Sequence, residues 1–240
     1  MTNDDKTNGK NMEEYKAAPV SDAGGEIGRT NADEDVRLDI TVILDRSGSM
    51  DPICDDAIGS FNAFLKARKD SNPNSLMTVV LFDDEYLVRE VGVPIQAVQP
   101  LNDRTYVPRG NTALFDAIGK TIRTIEERTH EDEEVMVAIL TDGQENASVE
   151  YTLEQIRSLI IEKEAKDWDF VYLSADPSAF DDGKAMGFQA SKMAIYKKEE
   201  MHEAYAHMDE MLAMKLSKAR DIKIMKRRMR GNVEEDKMYQ

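Results

Sequence analysis

Cysteine is almost absent from this chain. Cys54 stands alone among 240 residues, which excludes an internal disulfide framework and makes a reducing compartment the simpler expectation. Positive charge is also short. The 31 Lys and Arg against 47 Asp and Glu leave a net charge of −16, which argues against nucleic-acid binding by the chain as a whole. No run of about 18 apolar residues occurs, so no membrane-spanning helix is expected. The polar opening MTNDDKTNGK lacks the apolar stretch of a secretory signal. A cytoplasmic protein is the expectation.

What the chain does hold is enough for one sizeable α/β domain with tails. Residues 1–36 are rich in Asn, Asp, Glu, Gly and Thr without hydrophobic period. Such a composition predicts a disordered tail, because too little apolar surface is available to offset ordering entropy. From residue 37 to 196 the pattern alternates between strands and helices. LDITVIL (38–44), LMTVVLF (76–82), EVMVAIL (134–140) and DFVYLSA (169–175) are apolar, largely β-branched runs of the kind buried in parallel sheets. YLVREV (86–91) follows the second run across an acidic tip and predicts an antiparallel edge strand. KMAIY (192–196) is the last expected strand.

Cys54, Ile58, Phe61, Phe64 and Leu65 share a helical face, with Asp51 as N-cap and Pro52 as first helical residue. Leu114, Phe115, Ile118, Ile122 and Ile125 mark a second helix. A third opens on a capping box of Thr152 and Gln155, and a short fourth stops at Gly187. A Met-rich helix follows over 197–230, then a flexible tail over 231–240. The alternation predicts a doubly wound, mostly parallel sheet, in which ligands bind beyond the carboxyl ends of the strands.

Three polar clusters fall at that edge. Asp45, Ser47 and Ser49 follow the first strand in DRSGS, Thr112 opens the second helix, and Asp142 follows the core strand that ends in TDG. All five side chains offer oxygen, which suits hard cations; Mg²⁺ wants near-octahedral geometry at about 2.0–2.1 Å. Only two of the five carry charge. A cation held there stays under-neutralised and attracts a further anionic ligand. The bland alternative is that the two serines cap a helix while the aspartates are solvated loop ends.

The pattern D45-R-S47-G-S49, T112 and D142-G143, within TVILDRSGSM, GNTALFDAI and VAILTDG, resembles the metal-ion-dependent adhesion site of von Willebrand factor A domains over roughly residues 37–196. That resemblance implies a Rossmann-like fold: a central sheet flanked by helices, one antiparallel edge strand, and here a C-terminal helical extension. It implies Mg²⁺, with Mn²⁺ or Ca²⁺ as substitutes, bound by Asp45, Ser47, Ser49, Thr112 and Asp142. It also implies a protein partner whose Glu or Asp side chain completes the metal shell. Intracellular proteins similar to this one often work with AAA+ ATPases of the MoxR type, so a structural or adaptor subunit is the alternative function.

Catalysis is not expected. An aspartyl-phosphate phosphatase needs a second Asp where Ser47 stands, no G-x-S-x-G elbow occurs, and His130, His202 and His207 offer no base beside a nucleophile. His202 and His207 are five apart, a poor metal pair on a helix. Cys54 reads as a small core hydrophobe, and Asp83–Asp84–Glu85 as a solvated turn. The eight Lys and Arg of residues 215–230 read as a solvated helix end, or as a contact for an acidic surface, nucleic acid or the chain's own tail. Met201, Met208, Met211 and Leu212, then Ile222 and Met225, form an apolar stripe expected to dock on the sheet domain or on a partner. Asp33, Glu34 and Asp35 are candidates to reach the metal and inhibit the site.

Overall fold

The structure is a computed structural model and describes residues 36–130 and 133–238, the side chains at 179, 180, 199 and 227–238 excepted. The tail expected over 1–36, with its acidic Asp33–Glu34–Asp35, lies outside the described residues apart from Val36.

Six strands form one sheet in the order β3-β2-β1-β4-β5-β6. They are β1 (Arg37–Asp45), β2 (Leu76–Phe82), β3 (Tyr86–Pro94), β4 (Glu133–Thr141), β5 (Asp169–Ser174) and β6 (Met193–Ile195). All neighbours run parallel except the β2–β3 edge hairpin, which is antiparallel. Central β1 is buried on both faces from Leu38 onward, which is why its sequence is nearly continuous in apolar residues rather than alternating.

Helices cover both faces. Ile40, Val42 and Leu44 of β1, with Met136, Ala138 and Leu140 of β4, pack under α1 (Cys54–Ser71) and α5 (Met201–Met238). Ile43, Val135, Val137 and Ile139 face α2 (Leu114–Glu126) and α3 (Leu153–Glu164), with α4 (Ala179–Ala185) near the β5–β6 edge. This is the α/β, Rossmann-like architecture expected from the strand and helix pattern. The capping box at Thr152 and Gln155 is formed, and Gly187 follows α4 with a φ of +99°, a conformation that glycine adopts without steric cost.

Three details depart from the expectations. Asp51 and Pro52 do not begin α1. They lie in a 3-10 turn over Gly48–Ile53, drawn tight by burial of Met50 and Ile53. Helix α5 starts at Met201 and continues past Arg230 to Met238. Its apolar stripe divides: Met201, Tyr205, Met208, Leu212 and Leu216 belong to the core, whereas Ile222 and Met225 are exposed. The early part of α5 is therefore a layer of the domain itself. Among the described residues no helix is long and apolar enough to cross a membrane.

Candidate metal centre

The parallel pairing of β1 with β4 sets Leu44 beside Leu140. It thereby brings Asp45, the last residue of β1, next to the Thr141–Asp142 end of β4. Asp45 is fully buried, and Ser47, Thr112 and Asp142 are at most 4% exposed, while Ser49 stands open to solvent. Ser47 Oγ lies 3.0 Å from Ser49 Oγ, and Ser49 Oγ donates to Asp142 Oδ1 at 2.6 Å. A Cβ placed on Gly143 would stand 3.6 Å from both Ser49 Oγ and Thr112 Oγ1, so Thr112 faces the same hollow.

Asp45 points one oxygen at each of two neutral donors. Its Oδ1 accepts the Ser47 N–H at 2.6 Å and its Oδ2 the Thr141 hydroxyl at 2.6 Å. Burial pushes the Asp45 carboxyl up to about 6, against the pull of those hydrogen bonds and with a further push from the Asp142 charge. A buried, electron-rich oxygen cluster with a raised carboxyl gains from a nearby cation. Adjacent ligands of an octahedral ion at about 2.1 Å lie roughly 3 Å apart, the separation of the two serine hydroxyls. The donor set therefore fits a small hard cation. It holds two carboxylates rather than three or more, and among the described residues no group of three acidic, histidine or cysteine side chains is placed to hold a metal ion.

Several residues that build this corner have no signal in the local sequence. Asn146 Oδ1 accepts the backbone N–H of Thr112 at 2.9 Å, and Asn146 N–H donates to the Thr112 carbonyl at 3.0 Å. Glu145 caps the start of α2 by accepting from Phe115 N–H at 2.9 Å, and Asp116 gathers the amides of Val149, Glu150 and Tyr151. The loop after Asp142 is thus laced to the helix that follows Thr112. From the other side, the Tyr106 hydroxyl donates to the Asp45 carbonyl at 2.5 Å, and Gly48 N–H donates to Gly110 carbonyl at 3.1 Å.

The acidic tip departs from the expected solvated turn at Asp83, while Asp84 and Glu85 are exposed as expected. Asp83 is fully buried. Its Oδ2 takes Arg46 Nε at 3.1 Å and Arg109 Nε at 2.9 Å, and Arg109 also pairs with Glu85. Arg46 stands between Asp45 and Ser47 in the DRSGS loop, so this network clamps that loop to the loop that carries Thr112. A last feature is Lys198, whose Nζ lies 2.7 Å from Asp142 Oδ2.

The remaining candidates separate from the site. His202 is exposed and His207 half-buried on α5, which places them on different sides of the helix. Cys54 is half-buried, and its thiol is pushed up by burial and then by Asp55, Asp51 and Asp103. In the basic segment, Lys215 is buried and meets Asp169 and Glu134, and Lys218 lies 3.6 Å from Asp167. Those two cations are engaged by the chain's own acids.

No protein-family model matches this sequence, and no curated protein matches it. Solved structures do match. Proximal thread matrix protein 1 from the mussel byssus superposes with a TM-score of 0.54 at 18% identity, covering 71% of this chain and 46% of that one. The manganese-loaded TRAP protein of Plasmodium vivax gives 0.52 at 12%, covering 72% of each chain. A von Willebrand factor type A protein from Catenulispora acidiphila gives 0.49 at 14%, covering 72% of this chain and 42% of that one. The match spans less than half the length of the mussel and Catenulispora proteins. At such identities the likeness is one of fold, which in this chain is a mostly parallel six-stranded sheet with one antiparallel edge and helices on both faces.

Proposed function

We propose that this chain is a metal-dependent protein-binding module, not an enzyme, in which Asp45, Ser47, Ser49, Thr112 and Asp142 hold Mg²⁺ and the ion captures a Glu or Asp side chain of a protein partner. The observation that carries this reading is the convergence of five oxygen donors from three separate loops on one hollow, with only two carboxylates among them. Ser49 at its mouth is open to solvent, so a partner has an approach.

Bound there, the ion supplies a Lewis-acidic position that a carboxylate can fill. The chain's residues do the rest. Thr141 and the Ser47 amide orient Asp45, Asn146 holds Thr112 in place, and the Arg46–Asp83–Arg109 clamp fixes one loop against the other. Because these groups are set before binding, little ordering is needed when the ion arrives. The manganese-loaded state of the Plasmodium vivax protein, which shares the fold, supports a divalent ion in such a domain and makes Mn²⁺ a natural substitute.

Thermal unfolding of the purified chain against Mg²⁺ tests the first half. The wild type is expected to gain stability as RT ln(1 + [L]/Kd), several degrees at millimolar metal, and Asp45→Ala and Thr112→Ala to gain none. An equal gain in the variants sinks the proposal. Capture of an acidic partner with and without EDTA tests the second half.

The exposed Ile222 and Met225 on the later part of α5 support a second reading, in which the metal chiefly stabilises the fold and this helix mediates assembly, for example with a MoxR-type AAA+ ATPase. A partner retained by Thr112→Ala but lost when residues 221–240 are removed favours that reading.

A further inference from the structure

We infer that Lys198 is a tethered counter-cation of the oxygen cradle: its ammonium neutralises Asp142, and a divalent ion binds there only as Lys198 withdraws. The inference rests on the metal site proposed above and assigns a role to a residue outside it.

The geometry points to this in three ways. First, both Asp142 oxygens are engaged. Oδ1 accepts the Ser49 hydroxyl at 2.6 Å, and Oδ2 takes Lys198 Nζ at 2.7 Å. Asp45, by contrast, is satisfied by neutral donors alone. The compensating positive charge therefore enters the cradle at Asp142, on an oxygen that a metal ion needs directly or through water.

Second, the backbone holding Lys198 is fixed. Two residues earlier, Tyr196 is 3% exposed, its N–H donates to Ser174 carbonyl at 3.0 Å and its hydroxyl to Thr141 carbonyl at 3.3 Å. Ser174 in turn is in register with Ile195 across β5–β6. Lys198 is thus anchored beside the Thr141–Asp142 turn, and its ammonium is held near Asp142 at a high effective concentration. Third, the Lys198 side chain is 40% exposed while that of Asp142 is fully buried. The long stem has solvent to swing into, whereas the carboxylate cannot leave.

A cation that must displace another pays the affinity of the first, and a half-exposed ion pair is a modest competitor. Lys198→Met keeps the aliphatic stem and removes the charge. Its Mg²⁺ affinity, measured by isothermal titration calorimetry, is expected to rise roughly three- to tenfold over wild type. Lys197→Met, which removes the same charge from the neighbouring residue that pairs with Glu200, serves as the control and is expected to stay within about twofold. In parallel, amine acetylation read by peptide mass spectrometry is expected to label Lys198 faster in Mg²⁺ than in EDTA.

Equal affinities in wild type and Lys198→Met overturn the inference and leave the metal site standing. So does an equal rise in Lys197→Met, which would reduce the effect to net charge. Unchanged or slower labelling of Lys198 on adding metal overturns it as well. Absence of Mg²⁺ binding in both wild type and Lys198→Met overturns this inference and the metal site together.

Discussion

Asn146 shows how little of the candidate site's precision lies in its five oxygen donors themselves. Its side chain accepts the Thr112 amide and its own amide donates back to the Thr112 carbonyl, so it fixes the backbone from which the threonine hydroxyl projects. Asn146→Ala is expected to cost about 1 kcal/mol in stability, the worth of one amide hydrogen bond, and to weaken Mg²⁺ binding several-fold while leaving all five oxygen donors in place. Thermal melts with and without Mg²⁺ separate the two effects. An unchanged metal response would show that Thr112 needs no such support. The five candidate donors could be picked out in the sequence because their three clusters each lie at the end of an apolar run or the start of a helix, a context that local pattern exposes. Asn146, Thr141 and Lys198 were not, because their roles are set by bonds to loops 34, 96 and 56 residues away. Asp83 was misread for the same reason: an acidic triplet resembles a solvated turn until Arg46 and Arg109 are seen beside it.

At the scale of elements, the loops and the last helix carry the sharpest constraints. Gly110 has a φ of +64°, and a Cβ there would collide with the Asp84 carboxylate. Gly110→Ala is expected to cost about 1–3 kcal/mol, read as a lowered melting temperature, and to disturb the Gly48–Gly110 hydrogen bond that joins the loops carrying Ser47 and Thr112. Helix α5 is pinned to the starts of β4 and β5 by Lys215, which lies 2.9 Å from Asp169 and 3.2 Å from Glu134. Burial raises the Asp169 carboxyl, but Lys215 and Lys192 outweigh it and hold it below its ordinary 3.8. A lowered folded-state pKa contributes stability that is present above 3.8 and lost as pH falls below it. Lys215→Met should therefore lower the melting temperature at pH 7 and flatten its decline below pH 3.8, as a pH series of melts would show. A parallel acid limb in wild type and variant would remove Lys215 from that account. The strands themselves were plain in the sequence, since continuous apolar β-branched runs have few other uses. The start of α1 was not, because the tight turn over Gly48–Ile53 answers to burial of Met50 and Ile53 rather than to the capping signal of Asp51 and Pro52.

For the whole molecule, the decisive fact is that α5 belongs to the core only in its first half. Removing everything from Met201 onward strips Tyr205, Met208, Leu212 and Leu216 from the sheet. Each such side chain is worth about 1.5–3 kcal/mol, and their sum approaches the total stability of an ordinary domain. That truncation is expected to abolish the cooperative melt. A cut after Arg220 should leave it within about 2–4 °C, because the described residues beyond are mostly exposed. Circular dichroism melts of the two truncations decide the matter. The Met-rich stripe predicted a docking face. Only packing shows that its partner is the chain's own sheet and that the stripe ends where Ile222 and Met225 emerge. The place of β1 has a further consequence. It sits mid-sheet, bonded along its length to β2 on one side and β4 on the other, while α5 packs on one face of the sheet through its side chains. On the proposed function, a partner gripped at the carboxyl ends of the strands also pulls on the domain. Tension drawn through the amino end of β1 would load two ladders of hydrogen bonds in shear at once, whereas the same tension drawn through the carboxyl end would reach the exposed later turns of α5 before its packed first half. The molecule is thus built to hold fast at one end and to yield gradually at the other.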